Sequence, residues 1–102
     1  GGESQRLKIA AQLQKESNIF IMDEPTTGLH RSDIDTFYRI IKKLVDNNNT
    51  VIIIEHNTDI IKRADWIIDM GPEGGHKGGQ VLAEGTPLQI KANPRSVTGK
   101  YL

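Results

Sequence analysis

Apolar residues in this chain gather in three short runs, separated by polar stretches with helical spacing. The first, Ile19-Phe20-Ile21-Met22, ends abruptly in Asp23-Glu24-Pro25. The second is the β-branched run from Thr50 through Val51, Ile52, Ile53 and Ile54 to Glu55, and the third is Trp66-Ile67-Ile68-Asp69-Met70. Runs this short and this apolar predict buried strands, because a parallel sheet is covered on both faces. Between the first two, Ile34, Phe37, Tyr38, Ile41, Leu44 and Val45 fall on one helical face. Ser32 is the expected N-cap of that helix, with Asp35 three residues on, and Asn47-Asn48-Asn49 the expected stop. A shorter helix is expected over 58–63. An earlier one, over 4–15, carries Leu7, Ala10 and Ala11 on one stripe with Ile9 and Leu13 beside it. The β-α-β-α-β alternation predicts an α/β fold with a mostly parallel sheet and right-handed crossovers. Met22 and Trp66 read as core residues.

Past Met70 the chain changes character, since six of its ten glycines lie between Gly71 and Gly85. This predicts a loop region around one short strand over 80–84. Thr86-Pro87 then caps a final short helix that Asn93-Pro94 ends. The loop from Gly71 to Gly79 invites a phosphate-cradle reading and fails it. A phosphate-binding loop needs G-x-x-x-x-G-K-[ST] between a strand and a helix, and neither Lys77 nor Lys100 meets that pattern. A turn built on positive-φ positions is expected there instead.

Composition narrows the picture mainly by exclusion. Thirteen basic and thirteen acidic side chains give zero formal net charge, so the overall balance predicts no nucleic-acid or anionic-membrane partner. The basic pairs Lys42-Lys43 and Lys62-Arg63 read as solvated helix faces. There is no cysteine, hence no disulfide and no thiolate zinc site in this segment. No apolar run is longer than that from Val51 to Ile54, far too short to span a bilayer, and a soluble cytosolic location is expected. At 102 residues the chain is at most one domain. It opens without Met on Gly1-Gly2-Glu3-Ser4-Gln5-Arg6, which reads as the middle of a motif, so a segment of a longer protein is expected.

Candidate chemistry concentrates at the strand ends. Ligands of parallel α/β sheets collect beyond the carboxyl ends of the strands, where the first run delivers two adjacent acids. Asp23 is placed to hold Mg²⁺, through water, and Glu24 to orient and deprotonate an attacking water in phosphoryl transfer. The alternative is a strand that simply ends in solvated acids. His56 follows the second run, and one helical crossover should make the two strands sheet neighbours about 5 Å apart. An imidazole there can serve a γ-phosphate or the attacking water, or can be a satisfied structural histidine. Gly1, Gly2, Glu3 and Ser4, directly before a helix, offer backbone N–H groups and a positive helix end to an anion, unless they form a frayed tail.

Taken in order, Gly1-Gly2-Glu3-Ser4-Gln5-Arg6, the run into Asp23-Glu24-Pro25-Thr26, and Val51 to His56 resemble the second half of an ABC-type ATPase: signature motif, Walker B strand and switch histidine. Within that superfamily the chain is similar over its whole length to the ATPase subunit of the bacterial nucleotide-excision-repair excinuclease, at the carboxyl end of its second ATPase domain. Gly28-Leu29-His30 carries that resemblance, with His30 where most ABC proteins have the D-loop aspartate. So do Glu55-His56-Asn57, the stretch from Ala64 to Gly75, Glu84-Gly85-Thr86-Pro87 and Thr98-Gly99-Lys100-Tyr101-Leu102.

The resemblance implies ATP and Mg²⁺ as cofactors, with Glu24 and His56 catalytic and Asp23 on the metal. It implies that Gly1, Gly2, Glu3 and Ser4 complete the opposite ATP site, because two ATPase units pack head to tail. Damaged DNA, the next excision-repair subunit, a second ATPase half and a homodimer are the implied partners, with no membrane. The Walker A loop and the zinc-bearing insertions of the family have no counterpart in these residues, so zinc is expected only in the intact protein and the segment alone should be inactive. Two rivals remain: an ATPase segment of a transporter or chromosome-structure protein, and a non-catalytic interaction module.

Overall fold

Short β-branched segments hold an extended backbone when a neighbour completes their hydrogen bonds. Ile19–Asp23 (β1) and Thr50–Ile54 (β2) do this for each other. In the computed structural model, which describes residues 17–71 and 79–102, they pair in parallel, with Ile19 opposite Thr50 and Asp23 opposite Ile54. The crossover between them is the helix Arg31–Asp46 (α1), which packs on β2. The expected helix over 4–15 and the residues Gly1, Gly2, Glu3 and Ser4 lie outside the described residues, as do residues 72–78 of the expected Gly-rich loop.

The periodicity of α1 is realised as read. Ile34 and Ile41 are buried, Phe37, Tyr38 and Leu44 are half-buried, and only Val45 of the predicted face is exposed. Burying each isoleucine is worth roughly 1.5–3 kcal/mol. The start of α1 differs from expectation: its N-cap is His30, not Ser32, and the His30 side chain makes no capping bond. Instead the His30 carbonyl oxygen accepts from Asp33 N–H at 2.9 Å and Ile34 N–H at 3.2 Å. The capping position thus falls two residues before the best capping side chain. The asparagine stop holds, since Asn48 takes φ +67 and Asn49 donates from Nδ2 to the Leu44 carbonyl oxygen at 2.8 Å. Asn48 and Asn49 also tie back to Ser17 and Asn18 at the start of β1.

One face of the β1–β2 pair departs from the expected burial. Val51, Ile53 and Met22 are half-buried on the face where α1 packs. Ile19, Ile21, Ile52 and Ile54 share the other face, and Ile21 is 69% exposed. A parallel pair needs a layer on each face. The helix α1 supplies one of them.

The chain divides after Glu55 into two compact units. The second opens with the short helix Thr58–Ile61 (α2), capped by Asn57, whose Oδ1 accepts from Asp59 N–H at 2.9 Å. Ile67–Gly71 (β3) follows, then Gln80–Gly85 (β4) and Pro87–Ala92 (α3). Contrary to the simple alternation, β3 pairs antiparallel with β4, Ile67 opposite Gly85, with an irregularity between Asp69 and Met70. Only eight residues separate the two strands. A connection that short returns the chain beside itself in the opposite direction, whereas a parallel partner needs a crossover of a dozen or more.

Ile67, Ala83 and Ile90 form the core of this unit, with Ile61, Ala64 and Leu102 against it. Trp66, expected inside, is 53% exposed just ahead of β3. Strand alternation in β3 buries Ile67, Asp69 and Gly71 and turns Ile68 and Met70 outward. Thr86 and Gln89 start α3 with a reciprocal capping box at its N-terminus, and a final 3₁₀ turn spans Thr98–Tyr101.

Candidate functional site

Asp23 ends β1 opposite Ile54, so the two acids of the first run stand at the carboxyl end of the parallel pair. The next residue, Glu24, donates its N–H to the Ile54 carbonyl oxygen at 2.8 Å, and the sheet stops there. Its backbone is left-handed, with φ +47. A residue with a Cβ pays roughly 1–2 kcal/mol for that region, and such residues persist where surrounding contacts over-determine them. Thr27 N–H returns to the Glu24 carbonyl oxygen at 3.2 Å, and Leu29 N–H to that of Thr26 at 3.0 Å. The chain thereby turns away from the strand, with Gly28 at φ +79 permitting the bend into His30. Both Asp23 and Glu24 are solvent-exposed.

The β2 end is held by the same loop. Glu55 Oε2 accepts from Thr26 N–H at 3.2 Å and from Thr26 Oγ1 at 2.7 Å, and Thr26 is 6% exposed. His56, exposed, is the next residue and opens the second unit. The described structure thus brings Asp23, Glu24 and Glu55 to one end of one strand pair, with His56 following in the chain.

Sequence reading overlooked Glu55 and Thr26 as a pair. An acid closing a β-branched run is the same signal that marked Asp23-Glu24. Its partner, however, lies 29 residues away and is a small hydroxyl without a pattern of its own. Among the described residues no cluster of three or more His, Cys, Asp or Glu forms a metal cage. A single carboxylate still suits Mg²⁺, which is usually held by one or two carboxylates with waters and substrate phosphates. A thiolate zinc site has no donors here.

A parallel α/β pair that delivers acidic side chains from both strand ends defines this as an α/β protein with an acidic strand-end site. No protein-family model matches the chain. It is 60% identical over 105 aligned residues to the UvrABC system protein A of Mycobacterium leprae, covering 100% of this chain and 11% of that protein. It is 55% identical to the corresponding protein of Aquifex aeolicus, again across 100% of this chain and 11% of the relative. The crystal structure of UvrA2 from Deinococcus radiodurans superposes with a TM-score of 0.78 at 42% identity, over 99% of this chain and 13% of that one. The chain belongs to the UvrA family and spans about a ninth of the length of these relatives. No described helix is long and apolar enough to cross a membrane.

Proposed function

We propose that this chain supplies catalytic parts of the ATPase of a UvrA-type protein, which couples ATP hydrolysis to DNA-damage recognition and to loading of the next excision-repair subunit, UvrB. The observation that carries the reading is the acidic end of β1. Asp23 and Glu24 leave a parallel strand in succession, and Glu24 is held in a backbone conformation that its own preferences disfavour. Family membership favours this reading over a transporter or chromosome-structure ATPase.

In this reading Glu24 accepts a proton from the attacking water through a carboxylate oxygen, while His56 donates a hydrogen bond toward the γ-phosphate or that water. Asp23 holds Mg²⁺ through water. The metal, when bound with ATP, supplies charge neutralisation at the phosphates. Gly1, Gly2, Glu3 and Ser4 belong to the signature that completes the opposite site in a head-to-tail arrangement of two ATPase halves within a homodimer. A P-loop fold with its phosphate loop in another part of the intact protein, and a cytoplasmic location, complete the proposal. Zinc belongs to other parts of that protein.

Glu24→Gln in the intact protein tests it. The amide keeps size and hydrogen bonding but cannot take the proton, so turnover should fall about 10²- to 10⁴-fold with ATP affinity nearly unchanged. Near-normal turnover would remove Glu24 from the role.

A further inference from the structure

Glu24 lies between two ties to consecutive residues at the end of β2. Its own N–H reaches the Ile54 carbonyl oxygen at 2.8 Å. Two residues on, Thr26 donates twice to the Glu55 carboxylate, from N–H and from Oγ1. Those bonds sit where Thr26 is 6% exposed, so water competes with them poorly, and hydrogen bonds to a charged acceptor are the stronger kind. The turn between the ties is closed by Thr27 N–H on the Glu24 carbonyl oxygen. A left-handed glutamate therefore has its preceding peptide fixed by Ile54 and its following turn fixed by Glu55.

We propose that Thr26 and Glu55 are positioning residues for the hydrolytic step: their paired hydrogen bonds hold Glu24 in its left-handed backbone and fix the β2 end from which His56 follows. This rests on the reading of Glu24 as the general base. Neither residue touches the reacting atoms. Their effect passes through the direction in which the Glu24 carboxylate leaves the chain. Losing the Oγ1 bond frees the turn to relax toward ordinary right-handed backbone, which swings the carboxylate while leaving Asp23, inside the strand, in place. The signature of such a role is a loss in kcat with little change in KM.

The test uses the intact UvrA-type protein containing this segment, with Mg-ATP turnover normalised to sites counted by titration with a non-hydrolysable ATP analogue. Thr26→Val keeps the shape and removes the hydroxyl. It should lower kcat per site by about ten- to a hundredfold, the usual effect of a misplaced catalytic group. KM should stay within about twofold, since ground-state binding is untouched. Thr26→Ser should restore turnover, because its hydroxyl reaches the same oxygen. In a Glu24→Gln background, Thr26→Val should cause no further loss, as residues acting through one group are non-additive.

Unchanged kcat per site in Thr26→Val, or an additional loss in the Glu24→Gln background, would overturn the inference while leaving Glu24 as the base. Full turnover in Glu24→Gln alone would overturn the reading of Glu24 and the inference with it.

Discussion

Asp69 and Ser96 meet at 2.6 Å across 27 residues of sequence, the serine hydroxyl donating to Oδ2 of a carboxylate that is 6% exposed. Thr98 adds its N–H to Oδ2 at 3.1 Å and its Oγ1 to Oδ1 at 2.8 Å. Ser96 Oγ in turn accepts from Gly99 N–H at 2.8 Å. The inward side of β3 is thereby bonded to the carboxyl-terminal turn. Burial pushes the Asp69 carboxyl up, but the hydrogen bonds from Ser96 and Thr98 outweigh it and hold the group below its ordinary value.

The sign of the pH effect follows from that direction. The folded form releases the Asp69 proton more readily than the unfolded chain, whose carboxyl titrates at about 3.9. The contribution to stability is thus fully present above the unfolded value and is lost as pH falls through the folded one. Asp69→Asn should flatten the acid limb of the unfolding curve and cost about 1–3 kcal/mol at neutral pH. Urea titrations of the chain from pH 3 to 7 measure both effects.

Gly99→Ala should disturb the same junction from the other side. An added Cβ would collide with the Ile90 carbonyl oxygen and crowd Ser96 Oγ, and backbone cannot step aside as a flexible side chain can. Overpacking of this kind costs typically about 1–3 kcal/mol. A lowered urea midpoint with unchanged slope is the expected result. An unchanged midpoint would show that the turn can move.

At the strand-end site the two remaining candidates should separate by kinetic signature in the intact protein. Asp23→Asn removes charge from the metal shell, so Mg-nucleotide affinity and turnover should fall together. His56→Ala should lower turnover by about 10²- to 10³-fold, as loss of a donor to developing charge does, with affinity largely kept. Equilibrium nucleotide binding measured beside steady-state turnover distinguishes them. The opposite pattern would exchange the two roles.

The isolated 102-residue chain should neither bind ATP tightly nor turn it over, since its sequence has no phosphate-binding loop of the G-x-x-x-x-G-K-[ST] kind. It should also self-associate through the face of β1–β2 that carries the exposed side chains of Ile19, Ile21, Ile52 and Ile54. Replacing the paired Ile21 and Ile52 with threonine keeps β-branching and should shift sedimentation toward monomer. Micromolar ATP affinity, or a monodisperse unsubstituted monomer, would contradict these expectations.

Periodicity made α1 and both parallel strands legible, because burial of Ile34 and Ile41 and the β-branched run of β2 are local properties of the chain. The pairing of β1 with β2 was legible from the crossover between them. The partner of β3 was not, since pairing depends on how the Gly-rich connection returns and not on the strand's own residues. The position of Trp66 was hidden for the same reason: its neighbours in the fold, not its side chain, set its exposure. Of the proposed site, Asp23, Glu24 and His56 were visible as charged or titratable residues at the ends of apolar runs. The bonds of Thr26 to Glu55 and of Asp69 to Ser96 bridge 29 and 27 residues, and no local pattern announces them.

With Glu24 as the proposed general base, its left-handed backbone sets two kinds of selection against each other at one codon. Glycine occupies that region at little steric cost and asparagine at less than glutamate, so either substitution should relieve local strain. A variant library screened for thermal resistance alone should therefore enrich Glu24→Gly and Glu24→Asn, and the sturdier proteins it returns should be the ones that have stopped working.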